Sequence, residues 1–363
     1  TGIDLVEQVI RVANKEKLKL LQSDISINGW AIENRLYAED PYRNFLPSIG
    51  RLTRYRPPDE FESSTHIVRN DTGVFEGGEI SMFYDPMIAK LCTWAPTRSE
   101  AIAHMREALD GFEVEGIGHN LPFLSAVMDH HKFVKGDITT AFIQEEYPEG
   151  FTGVELPEDD LLRIAASCAA MNRVAEIRRT KISGRMDNHE RRVGDNWIVT
   201  LQDKKYELKI FADQLGSTVQ FEGGSKIRVE GIWTPGDQLA KMVVDDKKLI
   251  MKVGKITGGF RIRNRGADLV VLIRSKRQSE LSRHMLEKDP PDTSKKLMCP
   301  MPGLIVKIDV EVGEEVQEGQ ALCTVEAMKM ENILRAERHT RVKKINAKVG
   351  DSLAVDETIL EFE

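Results

Sequence analysis

The last stretch of the chain, Leu297 to Glu363, contains an internal repeat. Val312-Gly313-Glu314 recurs 37 residues on as Val349-Gly350-Asp351. At the same spacing Ile308 aligns with Ile345, Val316 with Leu353, Leu322 with Ile359 and Glu326 with Glu363. A repeat of this kind is a severe constraint, because one unit alone cannot bury its apolar face and must close against its copy. Each half has the pattern strand, Gly turn, strand, strand. Two such halves form a flattened, two-fold symmetric β-sandwich. Glu326 to Glu331 falls at the joint between halves, which places a hairpin there, projecting from one end.

Upstream the texture differs. Glu287 to Lys296 combines charges with the pair Pro290-Pro291, a composition that builds no core and is expected to form an extended, solvated tether. Before it, from residue 151 to 286, a helix through Ile177 is expected after the acidic start Glu158-Asp159-Asp160. Its inward face is Leu161, Ile164, Ala165, Cys168, Met171 and Val174. Eight short strand patterns follow, at Trp197–Leu201, Tyr206–Ile210, Val219–Phe221, Ile227–Val229, Met242–Val244, Leu249–Val253, Phe260–Ile262 and Leu269–Ile273. Gly, Asp and Asn separate them, as in an antiparallel barrel. Residues 1–150 mix helix and strand. Leu5, Val6, Val9, Ile10 and Val12 share one helical face, and a second helix is expected from Ser99 to Leu109 behind Thr97 or Ser99 as cap, ending at Gly111. Strands are expected at Ile32–Tyr37 and Ile67–Arg69. The fold class is multidomain α+β, divided at 1–150, 151–286, 287–296 and 297–363.

Composition narrows the partners. With 363 residues, two or three domains are expected. A formal net charge of -7 argues against a nucleic-acid surface, which needs clustered positive charge. No apolar run approaches the roughly 20 residues of a membrane-spanning helix. Cys92, Cys168, Cys299 and Cys323 are scattered, with no CxxC pair, so neither a zinc site nor a disulfide framework is expected. His130-His131 is an isolated pair better suited to a polar helix end than to a metal. The chain opens on Thr1-Gly2-Ile3-Asp4 without a methionine, which is expected of a segment taken from inside a longer protein.

The joint between repeats reads Val325-Glu326-Ala327-Met328-Lys329-Met330-Glu331-Asn332. A lysine between two methionines, flanked by strands, resembles the attachment hairpin of biotin-carrier domains, and Pro300-Met301-Pro302-Gly303 resembles their leading strand. The resemblance implies biotin joined covalently to Lys329, with Ala327, Met328 and Met330 around it. The thioethers offer soft, adaptable apolar surface. An ordinary exposed lysine is the plainer reading, but three features agree against it: the tetrapeptide, the leading strand and the centred repeat. A lipoyl domain shares the fold, yet its usual Asp-Lys-Ala is missing.

Three other stretches resemble the C-terminal lobe of a biotin carboxylase, an ATP-grasp enzyme: Gly29 to Pro41, Asn44-Phe45-Leu46-Pro47-Ser48 and Phe83 to Leu91. The resemblance gives Arg35 the role of stabilising the ureido anion of biotin, and places Asp85 near the biotin pocket. A fixed guanidinium aimed at developing negative charge is a sound electrostatic catalyst. An ion pair with Glu33 or Glu39 is the structural alternative for Arg35. Glu39-Asp40 is read as fold-supporting. The phosphate loop and metal-binding glutamates of such enzymes are not found here, so ATP and Mg belong to an upstream half and no metal site is expected in this chain.

The helix and barrel resemble the region that docks the biotin subunit of propionyl-CoA and methylcrotonyl-CoA carboxylases onto a carboxyltransferase. Met285-Leu286-Glu287-Lys288 and Asp292-Thr293-Ser294 look most like the propionyl-CoA carboxylase α subunit. The implied function is that of a ligase: ATP- and bicarbonate-dependent carboxylation of biotin, then transfer to propionyl-CoA on a β subunit, giving methylmalonyl-CoA. The implied partners are that β subunit, in a hetero-oligomer, and a biotin protein ligase; neither nucleic acid nor a membrane is expected. Methylcrotonyl-CoA or acetyl-CoA carboxylases, or a non-catalytic carrier and scaffold, are the alternatives. The compartment would be the cytoplasm of a bacterium or the mitochondrial matrix of a eukaryote.

Overall fold

The computed structural model describes residues 1–81, 83–184, 192–285, 295–317, 319–327 and 330–363. Residues 287–294 of the expected tether lie outside that set, as do Met328 and Lys329.

The N-terminal lobe opens with α1 (Leu5–Ala13), capped by Asp4, whose side chain accepts from the Glu7 N–H. Its apolar face forms as expected, and Leu5, Val6, Val9 and Ile10 all lie exposed. An antiparallel sheet follows in the order β1 (Trp30–Tyr37), β4 (Met87–Ala95), β3 (Ile67–Thr72), β2 (Phe61–Glu62). Helix α2 (Arg98–Gly111) starts at Thr97, whose hydroxyl meets the Glu100 N–H while Glu100 reaches back to the Thr97 N–H. Such a reciprocal cap contributes about 1 kcal/mol. With α3 (Leu121–Asp129) it closes a core of Leu36, Ile88, Leu91, Met105, Leu109, Phe112 and Met128.

Helix α4 (Glu158–Thr180) departs from the expected one-sided burial. Every residue from Ile164 to Met171 is buried, whereas Val174, expected inward, is exposed. The reason is the barrel itself. Strands β5 (Asn196–Leu201), β6 (Lys204–Ala212), β7 (Gly216–Phe221), β8 (Lys226–Glu230), β9 (Leu239–Val244), β10 (Lys247–Ile256), β11 (Gly259–Asn264) and β12 (Ala267–Arg274) close on one another, and α4 packs inside against strands on all sides. A helix enclosed by a sheet has no solvent face over that length and must be apolar or small all round. Ala165, Ala166, Ala169 and Ala170 provide the narrow girth that an eight-stranded lumen requires. All eight expected strands are present. Three two-residue hairpins, Gln202-Asp203, Asp245-Asp246 and Arg265-Gly266, have positive φ at both positions, the conformation that matches the twist of the paired strands.

One of those hairpins ties barrel to lobe. The Arg265 N–H donates to Asp110 Oδ1 at 2.9 Å, and Arg265 Nε donates to Asp129 Oδ2 at 2.7 Å. A Cβ on Gly266 would lie 2.6 Å from the Pro122 carbonyl oxygen, so only glycine permits this approach. Lys252 Nζ donates to the Leu109 carbonyl at 2.8 Å.

The repeat domain comprises β13 (Lys296–Met298), β14 (Gly303–Ile308), β15 (Glu315–Val316), β16 (Ala321–Ala327), β17 (Met330–Arg335), β18 (Thr340–Ile345), β19 (Ser352–Leu353) and β20 (Thr358–Phe362). One sheet has the order β13-β20-β18-β15, the other β17-β16-β14-β19. Exchanging β14 with β18, β15 with β19, β16 with β20 and β13 with β17 turns each order into the other, so the repeat in the sequence is a two-fold in the fold. The joint between β16 and β17 therefore corresponds to the place where the chain enters and leaves, where the Phe362 N–H donates to the Lys295 carbonyl.

Candidate functional site

The base of the β16–β17 hairpin is set by its register. Glu326 pairs with Glu331, and Ala327 with Met330. Met328 and Lys329 are the residues between those partners in sequence and lie outside the described set. Ala327 is buried and Met330 is exposed. The leading motif braces this base from below. Met301 is buried, and its sulfur accepts from Asn332 Nδ2 at 3.8 Å. A Cβ on Gly303 would meet the Glu326 carbonyl oxygen and Val325 Cγ1, each at 2.6 Å. Glycine is what lets β14 close on the strand that leads to Lys329. These features fit a covalently held group at the hairpin: a two-strand pedestal, fixed in register and propped from underneath, with an exposed apolar side chain, Met330, next in sequence to Lys329.

The second expected site lies on β1. Strand alternation puts Glu33, Arg35 and Tyr37 on one face, while Asn34 and Leu36 point inward and are buried. Arg35 Nε donates to Glu33 Oε1 at 2.8 Å, so the ion pair considered as an alternative does form. Glu33, then the Tyr37 hydroxyl, holds the guanidinium above its usual pKa. Both partners of this pair are exposed. Exposed pairs are weak, because water screens them and two long side chains must be ordered. An anionic ligand can therefore displace Glu33, and the structural pairing does not compete with an electrostatic role.

Asp85 is exposed, and its Oδ1 accepts from the Met87 N–H at 2.8 Å. Met87 is the cross-strand partner of Tyr37. Burial, and then the charge of Asp85, raises the pKa of the Glu39 carboxyl. The structure thus gathers Arg35, Tyr37, Glu39 and Asp85 at one end of the β1–β4 pair. Asp40 accepts from the Tyr42 N–H and caps a turn, in keeping with a supporting role. His130 sits at a helix start, with Nε2 3.1 Å from Glu146 Oε2. Among the described residues no cluster of His, Cys, Asp and Glu is arranged to hold a metal ion, and no helix is long and apolar enough to cross a membrane. In the sequence Tyr37 marks only the end of the expected strand Ile32–Tyr37, although its i+2 spacing from Arg35 places it on the same face.

Comparison with known proteins accounts for most of the chain. Residues 33–145 match the biotin carboxylase C-terminal domain, residues 164–288 the propionyl-coenzyme A carboxylase BT domain, and residues 295–362 the biotin-requiring enzyme family. A propionyl-CoA carboxylase alpha chain of Ruegeria pomeroyi is 69% identical over 378 residues, covering 100% of this chain and 56% of that protein. The mitochondrial propionyl-CoA carboxylase alpha chain of Mus musculus is 38% identical, covering 100% of this chain and 50% of its own length. A mitochondrial methylcrotonoyl-CoA carboxylase subunit alpha of Oryza sativa subsp. japonica is 28% identical, with coverages of 97% and 52%. The chain thus spans about half the length of the relatives it matches.

Proposed function

We propose, from the premise that the chain carries the carboxylase lobe, BT and biotin-requiring domains of a biotin-dependent acyl-CoA carboxylase alpha chain, that it is part of the biotin-carrying subunit of a propionyl-CoA carboxylase. The observation that carries this reading is the coincidence of two kinds of domain in one polypeptide. One offers a propped hairpin whose paired ends flank Lys329 in sequence; the other presents Arg35 toward solvent on a fixed strand.

Lys329 is the attachment residue in this reading. The bound group supplies a ureido nitrogen that accepts and releases a carboxyl. Arg35 provides a fixed positive charge where negative charge develops on that nitrogen, and Glu33 and Tyr37 hold the guanidinium until then. Asp85 orders the Met87 end of the neighbouring strand. Met330 and Ala327 shape the hairpin around the attachment point, with Met328 completing the motif. ATP and Mg chemistry is assigned to the half of the relatives that this chain does not cover.

The BT domain implies a carboxyltransferase β subunit as partner, where the carboxyl passes to propionyl-CoA and gives methylmalonyl-CoA. A biotin protein ligase would modify Lys329. The tether raises the local concentration of the carried group at both sites. The propionyl reading is preferred over the methylcrotonyl one because whole-chain identity is far higher to the propionyl enzymes. The compartment is the cytoplasm in a bacterial host and the mitochondrial matrix in a eukaryotic one.

The test uses the full-length subunit, captured on avidin resin from its native source. The expected outcome is co-purification of a carboxyltransferase chain, with labelled bicarbonate fixed preferentially into propionyl-CoA over methylcrotonyl- and acetyl-CoA. Preference for another acyl-CoA would overturn the substrate. Capture without a partner and without fixation would favour a non-catalytic carrier.

A further inference from the structure

We propose that Asn120 is a positioning residue for Arg35, an inference that rests on the electrostatic role assigned to Arg35 above. Among the described residues β1 is the edge of its sheet, paired only with β4. The backbone groups on its outer side therefore have no strand partner, and buried groups of this kind must be satisfied by something else. Asn120 takes that place. Its Oδ1 accepts from the Tyr37 N–H at 2.9 Å, its Nδ2 donates to the Arg35 carbonyl at 3.2 Å, and its own N–H donates to the Tyr37 carbonyl at 3.2 Å. One side-chain amide mimics a neighbouring peptide and clasps the strand on either side of Leu36.

Two observations separate this from ordinary helix capping. Asn120 stands at the N-cap of α3, where asparagine normally turns its oxygen onto its own helix. Here the side chain makes no capping bond; both of its ends go to β1. Asn120 is also 6% exposed, so a missing partner there would leave backbone groups unsatisfied. The rest of the loop points the same way. The Gly118 N–H donates to Ser48 Oγ, and the Ser48 N–H donates to the Ala38 carbonyl. The stretch from Arg35 to Ala38 is thus fixed from outside by residues 118–120, while the β1–β4 register slips between Leu36 and Tyr37. The clasp spans the point where the sheet by itself holds β1 least regularly, immediately beyond the regular Arg35–Lys90 and Leu36–Ala89 pairs.

The experiment uses the full-length subunit with Asn120→Ala, Arg35→Ala and the double variant. On unbiotinylated protein, amide hydrogen exchange in the segment holding Arg35 to Tyr37 is expected to quicken by about ten-fold in Asn120→Ala. On biotinylated protein, single-turnover labelling of the carrier from bicarbonate is expected to slow by about ten-fold, with the KM for ATP unchanged. In the Arg35→Ala background the Asn120 change is expected to add less than two-fold, since the two residues act through one group. If Asn120→Ala lowers the thermal midpoint too far for these assays, Asn120→Asp keeps the acceptor for Tyr37 and enters the same measurements. Unchanged labelling despite faster exchange overturns the proposal, as does a full ten-fold loss in the double variant relative to Arg35→Ala. If Arg35→Ala itself labels at the normal rate, the assignment of Arg35 fails and the inference fails with it, which the single variant alone reveals.

Discussion

The buried core of the repeat domain, from Cys299 to Leu360, comes entirely from that domain's own two halves, whereas the barrel strands close around a helix that precedes them in the chain. The barrel is further bound to the lobe through Asp110, Asp129, Lys252 and Arg265. A domain whose core is its own can be carried from site to site without unfolding its neighbours. A barrel sharing part-buried hydrogen bonds and an ion pair with the lobe is suited to serve as a fixed platform. The contrast fits the carrier and docking roles proposed above, and it predicts that the two regions answer differently to the same kinds of change.

The largest expected effect falls on the carrier and costs no stability. Lys329→Arg in the full-length subunit is expected to abolish avidin capture and acyl-CoA carboxylation, while the melting profile stays unchanged. Residual carboxylation in that variant would break the division of labour. The barrel should respond through stability instead. Ala169 is fully buried on the enclosed helix, so Ala169→Leu is expected to overpack the lumen and lower barrel stability by about 3 kcal/mol. Calorimetry should show that loss in one transition and leave the transition of the repeat domain in place; a shift in both would deny the independence of the two cores.

The junction adds a pH dependence that the carrier should not share. Burial, chiefly, raises the pKa of Asp110 to about 6, above the ordinary aspartate value. Its protonated form is therefore favoured by folding. Its contribution is complete below about pH 4 and is lost as pH rises through about 6, an effect of about 2–3 kcal/mol. Asp110→Asn should flatten the melting temperature of the lobe–barrel transition across that window, which thermal scans at stepped pH would show. Burial also lowers the Lys252 pKa to about 8, so that contribution is present at high pH and falls away as pH drops through about 8, outside the Asp110 window. The smallest effect is expected at Gly303. Gly303→Ala sets a Cβ against the strand leading to Lys329, and is expected to cost the repeat domain about 1–2 kcal/mol by denaturant titration.

How much was legible in the sequence follows the same divide. The 37-residue spacing carried the repeat domain, because a two-fold fold repeats its strand boundaries: Gly303–Ile308 and Thr340–Ile345 stand one repeat apart. The barrel strands were legible from alternation and turn residues. The helix inside it was legible as a helix, but its all-round burial was not, because Ala166, Ala169 and Ala170 are weak markers of an inward face and only the closed sheet makes them core. Arg35 was singled out through resemblance, beside the alternative of an ion pair with Glu33 or Glu39, of which the Glu33 pair forms. Asn120 was not found, since the bond to Tyr37 spans 83 residues and leaves no local pattern.

Whether Lys329 carries the group is decided by the intact mass of the full-length subunit, produced with an active biotin ligase and followed by peptide mapping. One biotinyl group, located on Lys329, is expected. An unmodified Lys329, or a biotinyl group on a different lysine, would contradict the assignment.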